Sequence, residues 1–143
     1  LGMKDAVLEP GIMGIIAQLS KKYHLLLLTN NKQANAELVL SKFALNEYFY
    51  GIVGRDNVKL LKPEPEGFYH IFSFLPDLKK NNFLAIGDAM IDFQAAQAAE
   101  IKFLAYCGNR CENWQDLSVK PLDYLYKWDE NAIKIIDNIL LCD

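Results

Sequence analysis

The decapeptide Phe83-Leu84-Ala85-Ile86-Gly87-Asp88-Ala89-Met90-Ile91-Asp92 decides the fold of this chain. Its first four residues are apolar and of the length an interior strand needs, and the Ala-rich stretch 93–99 that follows is a helix by propensity. Gly87 lets the backbone turn between them. Asp88 is therefore expected at the carboxyl end of a strand and Asp92 in the first turn of the next helix. In an open parallel sheet that edge is where ligands bind, and two hard oxygen donors there suit a divalent cation beside a phosphate. The same residues also have a structural reading, an aspartate capping a helix and a second one complementing its dipole. The pair needs company.

On either side, strand and helix patterns alternate with short connections. Pro10 opens a helix whose Ile12, Ile15, Ile16 and Leu19 form one apolar stripe. The run Leu25–Leu28 is apolar on both faces, as a central parallel strand should be. A second helix turns Ala36, Val39, Leu40 and Phe43 inward, and residues 50–54 form a short strand. Pro65 begins a helix with Phe68, Ile71, Phe72 and Leu75 on its buried side. Residues 101–106 are a further strand, 107–120 have no clear period, 123–126 fit an edge strand, and Ile133, Ile136 and Leu140 mark a closing helix. This alternation predicts an α/β fold, a mainly parallel sheet between two helical layers, in a single domain over residues 1–143.

Composition narrows the function. The chain has 143 residues with 52% hydrophobic and 23% charged, values of an ordinary globular domain, and a formal charge of −3 with both signs interleaved. No basic stripe offers itself to nucleic acid and no polybasic or long apolar run to a membrane. Cys107, Cys111 and Cys142 are an odd number without a C-x-x-C pair, so reduced thiols in a cytoplasmic protein are expected. His24 begins a strand and His70 lies in a helix, and neither shows a Ser or Cys partner in the sequence pattern. Trp114 and Trp128 fit half-buried packing, and Phe43, Phe49, Phe68, Phe72, Phe83 and Phe103 fit the core. Glu64, Glu66 and Asp56 are read as rim residues facing water.

Two other short motifs fall on places equivalent to that of Asp88. Thr29-Asn30 ends the Leu25–Leu28 strand, where a hydroxyl and backbone N–H groups at a helix start suit phosphate oxygens or simply cap the helix. Lys62 sits in Lys62-Pro63-Glu64-Pro65, a rigid turn with a candidate cis X-Pro bond; its ammonium could neutralise a phosphoryl group or be a solvated surface lysine. A hydroxyl, an ammonium and two carboxylates are together the parts of metal-assisted phosphoryl transfer.

In this order and spacing the motifs resemble those of the haloacid dehalogenase superfamily, most closely the branch containing phosphoglycolate phosphatase and β-phosphoglucomutase. The resemblance runs from about Pro10 to Leu140. It implies a Rossmann-like core in which Thr29 and Asn30 bind the substrate phosphate and Lys62 steadies nucleophile and phosphoryl group. It further implies that Asp88 ligates Mg²⁺ and that Asp92 holds the ion directly or through a water. Ala89 stands where a Ser or Thr is frequent in the family.

One part is absent. The family's first motif, a strand ending in Asp-x-Asp-x-Thr with the nucleophilic aspartate, has no counterpart here, and Asp5 lacks the apolar strand before it. The cap domain, inserted in the family between the first and second motifs, is missing too. In the strand order the resemblance implies, the missing strand is central, between Leu25–Leu28 and Phe83–Ile86. Those strands then pair directly, or a preceding segment or another chain fills the gap; together with the unusual start Leu1-Gly2-Met3, this favours a longer parent. The expected function is a Mg²⁺-dependent phosphatase of a small phosphorylated metabolite, working through an aspartyl-phosphate, with this chain alone inactive. The alternatives are a non-catalytic binding or scaffold module, a phosphomutase, or a 2-haloacid dehalogenase, for which two uncompensated carboxylates fit poorly.

Overall fold

A computed structural model describes residues 8–108, 114 and 118–141. Asp5, Cys111 and Cys142 lie outside them. The elements follow in the order α1 (Ile12–Ser20), β1 (Leu25–Leu28), α2 (Gln33–Lys42), β2 (Phe49–Val53), α3 (Glu66–Phe74), β3 (Leu84–Gly87), α4 (Met90–Ala98), β4 (Lys102–Tyr106), β5 (Asp123–Leu125) and α5 (Glu130–Leu141). All three strand pairings are parallel: β1 with β2, β3 with β4, and β4 with β5.

Alternation along the strands builds the three layers. On β4, Phe103 and Ala105 pack with Phe93, Ala95 and Ala96 of α4. Leu104, between them, turns to the opposite face and packs with Ile15 and Leu19 of α1 and Ala132 and Ile136 of α5. Leu25 and Leu84 join the α1–α5 face, while Leu26 and Leu28 pack against the third cluster around Val53, Ile71 and Phe83. The α/β/α reading from sequence is the fold observed.

The strands form two sheets, β1–β2 and β3–β4–β5. β1 and β3 do not pair, so among the described residues each leaves one backbone edge open. Both edges line a single cleft of about 780 Å³. The consequence shows in burial. Leu104 in β4 is fully buried, whereas Ile86 in β3 is 37% exposed and every residue of β1 is only half-buried. Of the three outcomes weighed for the gap, direct pairing of the two strands is excluded.

Several details differ from the sequence reading. Phe43 is half-buried, and Leu45, just beyond the helix, is the buried residue that closes this end. Phe68, Phe83 and Phe103 are buried as expected, while Phe49 and Phe72 are half-buried. Trp114 is buried more deeply than expected, edge-on to Phe93, and Trp128 is half-buried. The bond before Pro63 is cis.

Candidate functional site

The carboxyl ends of β1 and β3 face each other across the cleft, and Lys62 bridges them. Its Nζ lies 2.5 Å from Asp92 Oδ1, at the start of α4, and 3.5 Å from the Leu28 carbonyl, at the end of β1. Lysine and aspartate side chains are only 13% and 15% exposed, so this ion pair is largely removed from solvent. Both partners are held from behind. Asn30 Nδ2 donates to the Lys62 carbonyl at 3.5 Å. Asp92 Oδ2 accepts the Ala89 N–H at 3.1 Å, so the carboxylate reaches back to the residue that precedes α4. Asp92 thus divides its carboxylate oxygens between the Lys62 ammonium and the start of α4.

Glycine makes this packing possible. A Cβ on Gly87 would sit 2.6 Å from Asp92 Cβ and 2.7 Å from Asp92 Oδ2. On the other half, a Cβ on Gly54 would meet the Gln33 backbone nitrogen at 2.4 Å and the Asn31 carbonyl oxygen at 2.9 Å, so the loop after β1 lies directly against the end of β2.

In that loop the Thr29 N–H donates to the Val53 carbonyl at 2.9 Å, and Thr29 Oγ1 accepts the Asn31 N–H at 3.1 Å. A hydroxyl that accepts in this way keeps its own proton to donate elsewhere. Asp88 is exposed and lines the cleft with Lys62 and Asp92. The structure therefore joins Asn30, Lys62 and Asp92 through direct contacts, with Thr29 one residue beyond the Leu28 carbonyl that Lys62 reaches.

Two residues read as water-facing also hold backbone groups: Asp56 is exposed and Glu66 half-buried. The Glu66 carboxylate accepts the N–H groups of Lys59 and Leu60 at 2.5 and 2.7 Å, ordering the loop before Lys62. Asp56 Oδ1 accepts the Gln33 N–H at 2.9 Å, and that hydrogen bond is the main reason its carboxyl is held below the usual carboxylate range. His70 does have a serine neighbour, Ser73 at 3.4 Å, but the Ser73 hydroxyl donates to the His70 carbonyl one helical turn back.

Sequence reasoning missed Glu9 and Tyr106, which line the same cleft. The Tyr106 hydroxyl donates to Glu9 Oε2 at 3.3 Å, a contact across 97 residues that no local pattern announces.

Among the described residues no three His, Cys, Asp or Glu side chains gather into a metal-holding group. Asp88 and Asp92 supply two carboxylates at one strand end, which fits Mg²⁺, an ion commonly held by one or two carboxylates with waters and substrate phosphate completing its shell.

Residues 3–106 match the haloacid dehalogenase-like hydrolase family. The chain belongs to that family. Among relatives of this hydrolase core, a phosphoglycolate phosphatase of Mesorhizobium japonicum is 30% identical over 97 residues, 67% of this chain and 42% of its own length. The chain thus spans about two fifths of that relative's length. Solved structures share the fold. YfnB of Bacillus subtilis, bound to magnesium, superposes with a TM-score of 0.75 at 21% identity, covering 94% of this chain and 55% of its own. CbbY of Rhodobacter sphaeroides, in complex with phosphate, does so with 0.75 at 22% identity, covering 90% and 58%. Among the described residues no helix is long and apolar enough to cross a membrane.

Proposed function

We propose that this haloacid dehalogenase-like chain is the core of a Mg²⁺-dependent phosphatase acting on a small phosphorylated metabolite. One observation carries the reading: Lys62, Asp92 and the Thr29-Asn30 loop meet at the facing ends of β1 and β3. In this reading the Thr29 hydroxyl and the Asn30 N–H seat the phosphoryl oxygens, and Lys62 offsets the charge that builds on them. Asp88 and Asp92 hold Mg²⁺, which when bound stabilises negative charge on the transferring group. A carboxylate outside this sequence attacks phosphorus, the bond to the leaving oxygen breaks, and water then hydrolyses the aspartyl-phosphate.

That carboxylate belongs at the cleft. β1 and β3 each have an open edge, their largely apolar residues 25–28 and 84–87 line the cleft, and a strand inserted there would satisfy unpaired backbone groups on both sides. A segment preceding this sequence, or another chain, would supply the strand, and the cap domain would come with the longer protein. Amide hydrogen exchange tests this: β1 and β3 edge amides exchange fast in the 143-residue chain and become protected in the complete polypeptide. Equal exchange in both would remove the inserted strand.

The enzymatic reading is tested by Asp88→Asn in the complete polypeptide. Mg²⁺-stimulated hydrolysis of an aryl phosphate should be abolished with the fold intact; unchanged turnover would reject the metal role. A non-catalytic module is the second reading, favoured by the finding that no three His, Cys, Asp or Glu side chains among the described residues gather into a group that could hold a metal ion. No hydrolysis by the complete polypeptide would establish it.

A further inference from the structure

We propose that Glu9 selects the leaving group, favouring a hydroxylated alcohol that is uncharged or cationic and rejecting one that bears a carboxylate; this rests on the phosphatase reading above.

The geometry places Glu9 beside the chemistry. Gly87 and Ala105 are register partners, so Tyr106, at the end of β4, lies alongside Asp88, at the end of β3. The Tyr106 ring stacks on Trp128 at 5.3 Å between centroids, 21° from parallel, which fixes its direction. Its hydroxyl then holds the Glu9 carboxylate at 3.3 Å. Trp128 is itself pinned, because a Cβ on Gly11 would come within 2.2 Å of the Trp128 carbonyl oxygen. The indole N–H of Trp128 is buried and makes no well-aligned hydrogen bond among the described residues. Glu9, Tyr106 and Trp128 all line the cleft with Lys62, Asp88 and Asp92. Burial, first, and the charges of Glu9 and Asp88 raise the Tyr106 phenol above its ordinary pKa, which places both carboxylates within electrostatic reach of it.

Charge decides what this wall accepts. At the strand ends the described lining residues offer three carboxylates, Glu9, Asp88 and Asp92, against one ammonium, Lys62, which is already paired. The other lysine of the lining, Lys22, precedes β1 at the opposite end and is bound to Asp137 at 2.7 Å. A divalent cation and Lys62 would balance the phosphoryl group, and nothing described remains for a second anion. With the Tyr106 proton given to Glu9, a substrate hydroxyl can donate to the Glu9 carboxylate or to the Tyr106 oxygen, and an ammonium can donate to Glu9. A carboxylate can only accept, so it meets Glu9 as an unrelieved like charge.

The experiment measures kcat/KM of the complete polypeptide for glycerol phosphate, phosphoethanolamine and 2-phosphoglycolate, with an aryl phosphate as reference. The expected result is 2-phosphoglycolate at least about tenfold below glycerol phosphate, with Glu9→Gln narrowing the gap to about threefold, mainly through KM. Equal or better turnover of 2-phosphoglycolate by the wild type would overturn the proposal, whatever the variant does. Failure to hydrolyse even the aryl phosphate would remove the phosphatase reading beneath it; aryl turnover with 2-phosphoglycolate preferred would remove this inference alone.

Discussion

Lys62 and Asp92 form a largely desolvated ion pair that spans the open cleft, with Nζ 2.5 Å from Oδ1 and the Leu28 carbonyl 3.5 Å away on the other side. One side chain thus connects the two half-sheets at the strand ends. Removing it leaves a carboxylate with little water and no counter-charge, which costs more than a surface pair would. Lys62→Ala should destabilise the protein by roughly 2–3 kcal/mol in urea unfolding and lower turnover by about a hundredfold or more. Full activity of this variant would mean that Lys62 has no part in the chemistry.

Gly87 supplies the room for that pair. Gly87→Ala would push a methyl group into Asp92, at 2.6 Å from its Cβ, and displace the carboxylate from both Lys62 and the Ala89 N–H. The expected cost is roughly 1–3 kcal/mol. A titration of activity against Mg²⁺ should show half-saturation raised by about tenfold. An unchanged titration would mean that Asp92 does not contribute to holding the ion.

Gly54→Ala acts on the opposite half. Its Cβ would strike the Gln33 backbone, which cannot swing aside as a side chain can, and shift the loop carrying Thr29 and Asn30. Steady-state kinetics should show a severalfold higher KM for phosphorylated substrates; an unaltered KM would separate this loop from phosphate binding.

A pH dependence follows from Tyr23, whose hydroxyl donates to Asp137 and ties α1 to α5 beside the Lys22–Asp137 pair. Burial, then Asp137, pushes the Tyr23 phenol from 10.0 up to about 12. A raised folded-state pKa stabilises the protein fully below the unfolded value and loses that contribution as pH rises through the folded one. Stability should therefore fall between about pH 10 and about 12, by something on the order of 1 kcal/mol after solvent screening. Tyr23→Phe should flatten that decline in denaturant titrations. The Asp137 carboxyl, held low mainly by Lys22, gives the mirror effect: its contribution is present above the ordinary carboxylate range and lost as pH falls through its depressed value.

The alternation of strands and helices was readable from sequence because it rests on local period: Leu25–Leu28 apolar on both faces, the stripe Ile12, Ile15, Ile16 and Leu19, and the Gly87 turn. The absence of a first motif was readable in the same way. The roles of Glu66 and Asp56 were not, since each acts by accepting backbone N–H groups of a segment whose approach depends on loop geometry. Glu9 was hidden for the same reason, its partner being 97 residues away.

The sequence by itself thus determined the order of elements, the layered α/β class and the residue types at the strand ends, because period and turn chemistry are properties of near neighbours. Only the tertiary structure decided that Lys62 reaches across to Asp92, that Asp92 divides its oxygens between a lysine and a helix cap, and that β1 and β3 stand apart with their edges unpaired. Those outcomes depend on how parallel crossovers bring distant strand ends together, and on which backbone groups find partners once the layers have packed.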